Sequence, residues 1–277
     1  MRIGIFDSGI GGLSVLNEAY HRFPDQEYIF YADTRHVPYG TKSENEILHF
    51  VDEIVQFLIT KNVDAIVIAC NTATSVAVAA MREKYSLPIL GMEPAVKPAV
   101  EKNGDEDKRI LVMATPVTIR EKKLAKLLMR VDVRHKADLL EMPELVCFAE
   151  REEYDSDSVR DYVRQRFMTV NATDEKYSSL VLGCTHFNYF KPMYREILGD
   201  KVQLIDGNYG TIRHLGEVLD ITMAKEGDSG LIFNTPQDIV VTFKTTYYES
   251  GDEITDNIRL SKYLRMHNRL EFVRNFH

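Results

Sequence analysis

Ala65-Ile66-Val67-Ile68-Ala69-Cys70-Asn71-Thr72-Ala73-Thr74 and Leu180-Val181-Leu182-Gly183-Cys184-Thr185-His186 share one pattern: an apolar run, a cysteine, then small polar residues. An apolar run of this length without polar alternation reads as a strand buried on both faces, as in parallel sheets covered by helices. Two further runs have the same form. Ile3-Gly4-Ile5-Phe6 ends in Asp7-Ser8, and Ile110-Leu111-Val112-Met113-Ala114 ends in Thr115-Pro116-Val117-Thr118. Residues at helical spacing follow: Leu13, Leu16, Ala19 and Tyr20 after the first, the alanine-rich 73–85 after Cys70, and 119–129 after Thr118. Strands alternating with amphipathic helices predict an α/β fold with parallel-sheet cores.

In such sheets functional groups gather at the carboxyl ends of the strands, where loops lead into helix N-termini. All four polar clusters fall there. Asp7 and Cys70 are echoed by Thr115 and Cys184 at nearly the same separation along the chain. This spacing predicts two similar halves, each placing one strand-end thiol at a shared cleft. The polar stretch 101–109 reads as a surface loop between them. Beyond Asp206 the pattern weakens to a helix-like 211–225, a β-rich Ile239 to Tyr248 and a helix-like 259–275, which could belong to either half.

The chain has 277 residues, 34 Lys plus Arg and 42 Asp plus Glu, so its formal net charge is −8. That balance disfavours nucleic acid and anionic membrane as partners, because both are bound by neutralising phosphates. No apolar run approaches the roughly 18 residues of a membrane span, and MRIGIFDSGIGG lacks the apolar stretch of a signal peptide, so the expected place is the cytoplasm. Cys70, Cys147 and Cys184 are too few and too far apart for a disulfide framework, and no C-x-x-C pair points to structural zinc.

Gly9-Ile10-Gly11-Gly12 does not match the dinucleotide fingerprint, because Ser14 stands where the third glycine belongs, and no G-K-[ST] follows for a P-loop. Asp7 would also repel a pyrophosphate. Two uses remain: close helix–sheet packing, or backbone N–H groups that bind a small carboxylate. A lone cysteine after a buried strand is usually a small core residue. Cys70 and Cys184, however, both sit between a strand and an expected helix N-terminus, where the helix dipole favours the thiolate. Cys147 lacks that setting and reads as core. Metal binding by Cys184 and His186 would need two further ligands, and none is evident. A cysteine hydrolase would leave the second thiol unexplained. Two matched thiols suit a task needing a base on one face of a carbon and an acid on the other. Asp7, His186 and Glu150 are the ionisable candidates to assist them. His186 is a general acid/base candidate near neutral pH, whereas pattern alone cannot separate Glu150 from Glu152 and Glu153.

Asp7-Ser8-Gly9-Ile10-Gly11-Gly12-Leu13-Ser14-Val15, Tyr31-Ala32-Asp33 with Pro38-Tyr39-Gly40 and Lys42, Ala69 to Thr74, and Gly183-Cys184-Thr185-His186 resemble the ordered motifs of the bacterial glutamate racemase family. The Ala114 to Thr118 block fits too, and the resemblance runs from residue 3 to about 206. It implies a racemase that interconverts L- and D-glutamate without cofactor or metal, the D-form feeding peptidoglycan synthesis. It implies that Cys70 and Cys184 are the proton-transferring thiols, acting on D- and L-glutamate respectively. Asp7 would assist Cys70, and His186 and Glu150 would assist Cys184. Glu150 enters because Met142 to Val146 and the Glu after them resemble the family's segment before its second assisting carboxylate. Implied substrate contacts are Asp7, Ser8, Pro38, Tyr39, Gly40, Asn71, Thr72, Thr115, Thr118, Thr185 and His186, with Asp33 and Lys42 in structural parts.

The resemblance further implies a homodimer of two-domain subunits, with 1–97 plus 207–277 as the first domain and 98–206 as the second. It departs from the family at Phe187-Asn188, where Tyr-Pro is usual, and does not extend to residues 250–277. Alternatives are an aspartate racemase or another two-cysteine racemase, or a non-catalytic amino-acid-binding regulator. Pro38-Tyr39-Gly40 and the full Asp7 to Val15 motif favour glutamate. The Cα proton is a very weak acid, and no lysine in a pyridoxal-phosphate setting is apparent. The carbanion-like transition state would then depend on hydrogen-bond donors and desolvation, with Asn71, Thr72, Thr185 and helix-start N–H groups around the α-carboxylate.

Overall fold

A computed structural model describes residues 1–103, 107–225, 231 and 233–276. Strands β1 (Arg2–Asp7), β2 (Glu27–Ala32), β3 (Ala65–Ile68) and β4 (Ile89–Gly91) lie parallel in the order β2-β1-β3-β4. Strands β5 (Arg109–Ala114), β6 (Ala137–Glu141), β7 (Tyr177–Gly183) and β8 (Gln203–Ile205) form a second parallel sheet in the order β6-β5-β7-β8. The strand order of the first half recurs in the second, which is the pseudo-symmetry expected from the motif spacing. Strand β9 (Thr245–Glu249) extends the first sheet beside β2, and β10 (Asp252–Glu253) closes its edge antiparallel to β9.

The four apolar runs become β1, β3, β5 and β7, and apart from the first residue of β1 none of their residues is exposed. Cys70 and Cys184 therefore follow equivalent strands. Helices α1 (Leu13–Arg22), α2 (Glu44–Thr60) and α3 (Asn71–Lys84) serve the first half, whereas Val96 and Ala99 of α4 (Val96–Lys102) pack with Ile110, Val112 and Val181 of the second sheet. In α2 the buried Ile47, Val51, Ile54, Val55 and Leu58 make one apolar face, and Ser43 with Glu46 forms a capping box at its start. Such a cap contributes about 1 kcal/mol.

The expected helix over 119–129 is divided into α5 (Pro116–Arg120) and α6 (Lys122–Val131), because Glu121 between them is extended. Then come α7 (Glu144–Glu150), α8 (Asp157–Met168), α9 (Lys191–Leu198) and α10 (Asn208–Leu219). The β-rich expectation from Ile239 is corrected. Pro236–Val241 form helix α11, opened by a capping box of Thr235 and Asp238 with Pro236 at its first turn, and the strand begins only at Thr245. The expected loop 101–109 begins with the last residues of α4 and ends with the first of β5, while 104–106 lie outside the described residues.

The chain closes with helix α12 (Asn257–Arg274). One apolar cluster joins Ile5, Leu13 and Phe30 to Leu111, Leu180 and Phe187 across the two sheets, and takes in Tyr263, Met266 and Leu270 of α12. Among the described residues no helix is long and apolar enough to cross a membrane.

Candidate active site

Asp7, Cys70, Thr115 and Cys184 stand at or just beyond the carboxyl ends of β1, β3, β5 and β7. Asp7 is fully buried. Its Oδ2 accepts the Gly12 N–H at 2.9 Å and the Thr185 hydroxyl at 3.2 Å, while Oδ1 has no partner. Burial raises its pKa, against the pull of His186. The glycine loop packs closely on the first sheet, where a Cβ on Gly12 would fall 2.6 Å from the Asp7 Cβ. A Cβ on Gly11 would collide with His186 Nδ1 and Thr185 Oγ1, and one on Gly9 with the Glu150 carboxylate. These glycines let groups from the second half approach the first. The Ile10 N–H also binds a side chain of this chain, donating to Glu150 Oε1 at 2.9 Å.

Cys70 is the N-cap of α3, its sulfur accepting the Ala73 N–H at 3.4 Å and its S–H donating to Ser8 Oγ at 3.5 Å. Sequence reasoning expects this helix start to favour the thiolate. Instead burial and the Asp7 charge push the Cys70 thiol up, because desolvation outweighs the helix-end N–H.

Cys184 differs from the expectation in another way. Residues 185–190 form a 3₁₀ turn and α9 starts only at Lys191, so no α-helix begins at this thiol and no cap bond reaches its side chain. Its partner is the His186 Nδ1 at 3.7 Å. On the other side of the ring, Nε2 lies 2.7 Å from Glu150 Oε1. Burial works to lower the His186 pKa, but the Cys184 sulfur and the Glu150 carboxylate together hold it well above the ordinary value. Glu152 and Glu153 are separated from this pair and bind Arg265 and Arg151.

The hydroxyls of Thr72, Thr115 and Thr118 form a triangle with sides of 2.9, 3.1 and 3.0 Å that ties α3 to the start of α5. Gly40 packs against Thr115, where a Cβ would come within 3.0 Å. Tyr39 is buried and donates to Asp33 Oδ2 at 2.6 Å, with Pro38 half-buried beside it. Asp33 also takes the Ser250 hydroxyl at 3.0 Å. Ser8, Thr185 and Asn71 are buried, and Asn71 Oδ1 has no partner.

Cys147, read as core, is instead exposed on α7, a helix whose buried face is supplied by Leu145, Val146, Phe148 and Ala149. Sequence reasoning missed Tyr189, whose hydroxyl donates to the Ile10 carbonyl at 3.3 Å, and Arg269, which donates to the Tyr189 carbonyl. Neither carries a local signal, because the Tyr189 hydroxyl and the Arg269 guanidinium both donate here to backbone carbonyls, which every residue has. Among the described residues no group of three or more His, Cys, Asp and Glu side chains is arranged to hold a metal ion. The site offers two buried thiols, an imidazole–carboxylate pair on one of them, and the unpaired acceptors Asp7 Oδ1 and Asn71 Oδ1.

The sequence model of the Asp/Glu/hydantoin racemase family matches residues 12–215. The glutamate racemase of Lachnospira eligens is 45% identical over 274 residues, covering 99% of either chain. That of Halothermothrix orenii is 46% identical over 264 residues, 95% of this chain and 98% of its own. Among solved structures, Escherichia coli glutamate racemase in complex with L-glutamate and the activator UDP-MurNAc-ala superposes with a TM-score of 0.75 at 27% identity, covering 92% of this chain and 99% of its own.

Proposed function

The chain belongs to the Asp/Glu/hydantoin racemase family, and we propose that it interconverts L- and D-glutamate by proton transfer between two cysteines and the substrate Cα. The observation that carries this reading is the pair of buried thiols following the equivalent strands β3 and β7, each with its own partner group. One thiolate takes the Cα proton and becomes a thiol. The thiol on the opposite face gives its proton to the carbanion and becomes a thiolate, so charge and protons balance and the centre inverts. The His186 imidazolium, held by Glu150, is a charge partner for a Cys184 thiolate. Cys70, its thiol pushed up by burial, supplies the acid. In the L-to-D direction Cys184 removes the proton from L-glutamate, and Cys70, assisted by Asp7, gives one to the opposite face.

Asp7 Oδ1 and Asn71 Oδ1 suit the ammonium of an amino acid, since a buried acceptor gains most from a donor it lacks. Ser8, Thr72, Thr115, Thr118, Thr185 and the helix-start N–H groups suit its carboxylates, with Pro38, Tyr39 and Gly40 beside them. Cys70 and Cys184 are only 6% and 7% exposed, so proton transfer between them and the substrate would take place out of bulk water. The names of the relatives support glutamate over aspartate.

The same proposal includes action without cofactor, supply of D-glutamate to peptidoglycan in the cytoplasm, a homodimer, and domains of 1–97 plus 207–277 and 98–206. The test is incubation with L-glutamate, and separately L-aspartate, without pyridoxal phosphate, following the circular dichroism signal. Decay of the glutamate signal to zero supports the reading. A stable signal refutes it, and decay with aspartate alone favours the aspartate racemase.

A further inference from the structure

Helix α12 lies outside the stretch that resembles the racemase motifs, yet it is fixed firmly to the first half. Tyr263 is buried against Tyr247 and Phe30 and donates to Glu249 at 3.1 Å. Glu271 takes the Asn17 amide and the His21 ring, each at 2.7 Å. From this rod Arg269 reaches across to the second half. Its guanidinium binds both carboxylate oxygens of Asp155 at 3.0 and 2.9 Å, and through Nε and Nη2 it donates to the Tyr189 carbonyl at 3.2 and 3.1 Å.

Those contacts fall on the two segments that carry the imidazole–carboxylate pair. Tyr189 shares the 185–190 turn with His186, and Asp155 lies on the chain that leaves Glu150. Tyr154, beneath the guanidinium at 5.1 Å, stacks on Tyr189 at 5.2 Å. Tyr189 in turn binds the Ile10 carbonyl, and the Ile10 N–H binds Glu150. One planar fork thus grips both sides of the 2.7 Å contact between His186 and Glu150. We propose that Arg269 is a positioning residue that holds Glu150 and His186 at the geometry Cys184 requires. This rests on the racemase reading of the site and assigns a role to the C-terminal helix.

Arg265, one turn earlier, makes a bidentate pair with Glu152 but is 60% exposed and touches neither segment's backbone, so it serves as the control. The experiment compares R269M, R269K and R265A with the unaltered protein, measuring kcat and KM by circular dichroism and the His186 ring N–H signal by NMR with ¹⁵N-histidine. His186→Asn assigns that signal by its loss. R269M keeps the apolar stem between Tyr154 and Phe272 and removes only the donors. We expect kcat to fall roughly 10- to 100-fold in R269M with KM changed less than about threefold, as displacement of a positioned group produces. The downfield His186 signal should broaden or vanish. R269K, which keeps the charge without the fork, should fall between, and R265A should stay within about twofold of the unaltered protein. If R269M fails to fold, R269K decides by the same two readouts.

A kcat within about twofold in R269M, or a lost kcat with the His186 signal unchanged, would overturn the proposal. If the unaltered protein does not racemise glutamate, the functional reading fails by itself. The His186 signal in R269M still tells whether Arg269 positions that pair.

Discussion

His186 Nε2 lies 2.7 Å from Glu150 Oε1 while its Nδ1 lies 3.7 Å from the Cys184 sulfur, so the imidazole links the carboxylate to the thiol. Burial works against the imidazolium, and the Cys184 sulfur and Glu150 hold it in place with a pKa well above its ordinary value. Glu150→Gln removes the carboxylate charge and keeps the shape. The His186 pKa should fall, and kcat/KM should drop by about 10- to 100-fold, within the usual range for general acid–base help. Stability should respond with a definite sign. A histidine whose folded pKa is raised stabilises the fold fully below its unfolded pKa of about 6.5 and loses that contribution as pH rises through the folded value. The E150Q deficit in urea melts should therefore be larger at pH 6 than at high alkaline pH.

The two thiols can be tested separately. If they act on opposite faces of Cα, Cys70→Ala and Cys184→Ala should each abolish racemisation, by at least the roughly 10²–10⁴-fold typical of one acid–base group. In heavy water the product enantiomer should carry deuterium at Cα while recovered substrate stays mostly unlabelled. Near-normal racemisation by either alanine variant would show that one base suffices.

Two glycines give opposite expectations for the same substitution. At Gly11 a methyl group would run into the His186 ring and the Thr185 hydroxyl, both buried and unable to retreat. Gly11→Ala should lower the melting temperature and most of the activity together. Gly210 lies in α10 with nothing within 4 Å of the added carbon. Gly210→Ala should stabilise by about 0.5–1 kcal/mol, the usual helix preference for alanine over glycine, with activity unchanged. Differential scanning calorimetry of both variants checks the contrast.

The strands that carry the site were legible because burial on both faces leaves an uninterrupted apolar run, and the matched cysteines marked their ends. The repeat of strand order in the two sheets followed from the same spacing. Thiol chemistry was less legible. A helix start was expected to lower the Cys70 pKa, but sequence spacing carries no measure of desolvation, which wins at a fully buried position. Glu150 stood beside two other carboxylates, and only the fold separates it, by turning Glu152 and Glu153 toward arginines. Cys147 read as core because cysteine is usually buried, whereas its place on the outer face of α7 depends on where that short helix starts. Arg269 left no trace, since its grip on Tyr189 is through a carbonyl that any residue has.

The last prediction concerns the interface between α12 and the first half, where His267 is wholly buried. Its ring contacts the Tyr247 hydroxyl at 3.1 Å and Asn17 Oδ1 at 3.4 Å. Burial pushes its pKa down to about 3, against the opposing pull of Glu271. In the unfolded chain the same ring titrates near 6.5, so between those values the unfolded state binds a proton that the folded state refuses. Stability must then rise with pH across that window and be lost as pH falls, by about 1.4 kcal/mol per unit. His267→Gln keeps a donor and an acceptor but cannot titrate. Between pH 7.5 and pH 5 the unaltered protein should lose about 2 kcal/mol more than H267Q in urea unfolding, the part of the window below 6.5. Equal losses in the two proteins would mean that His267 takes up its proton without leaving the core, and that acid stability is set by other groups.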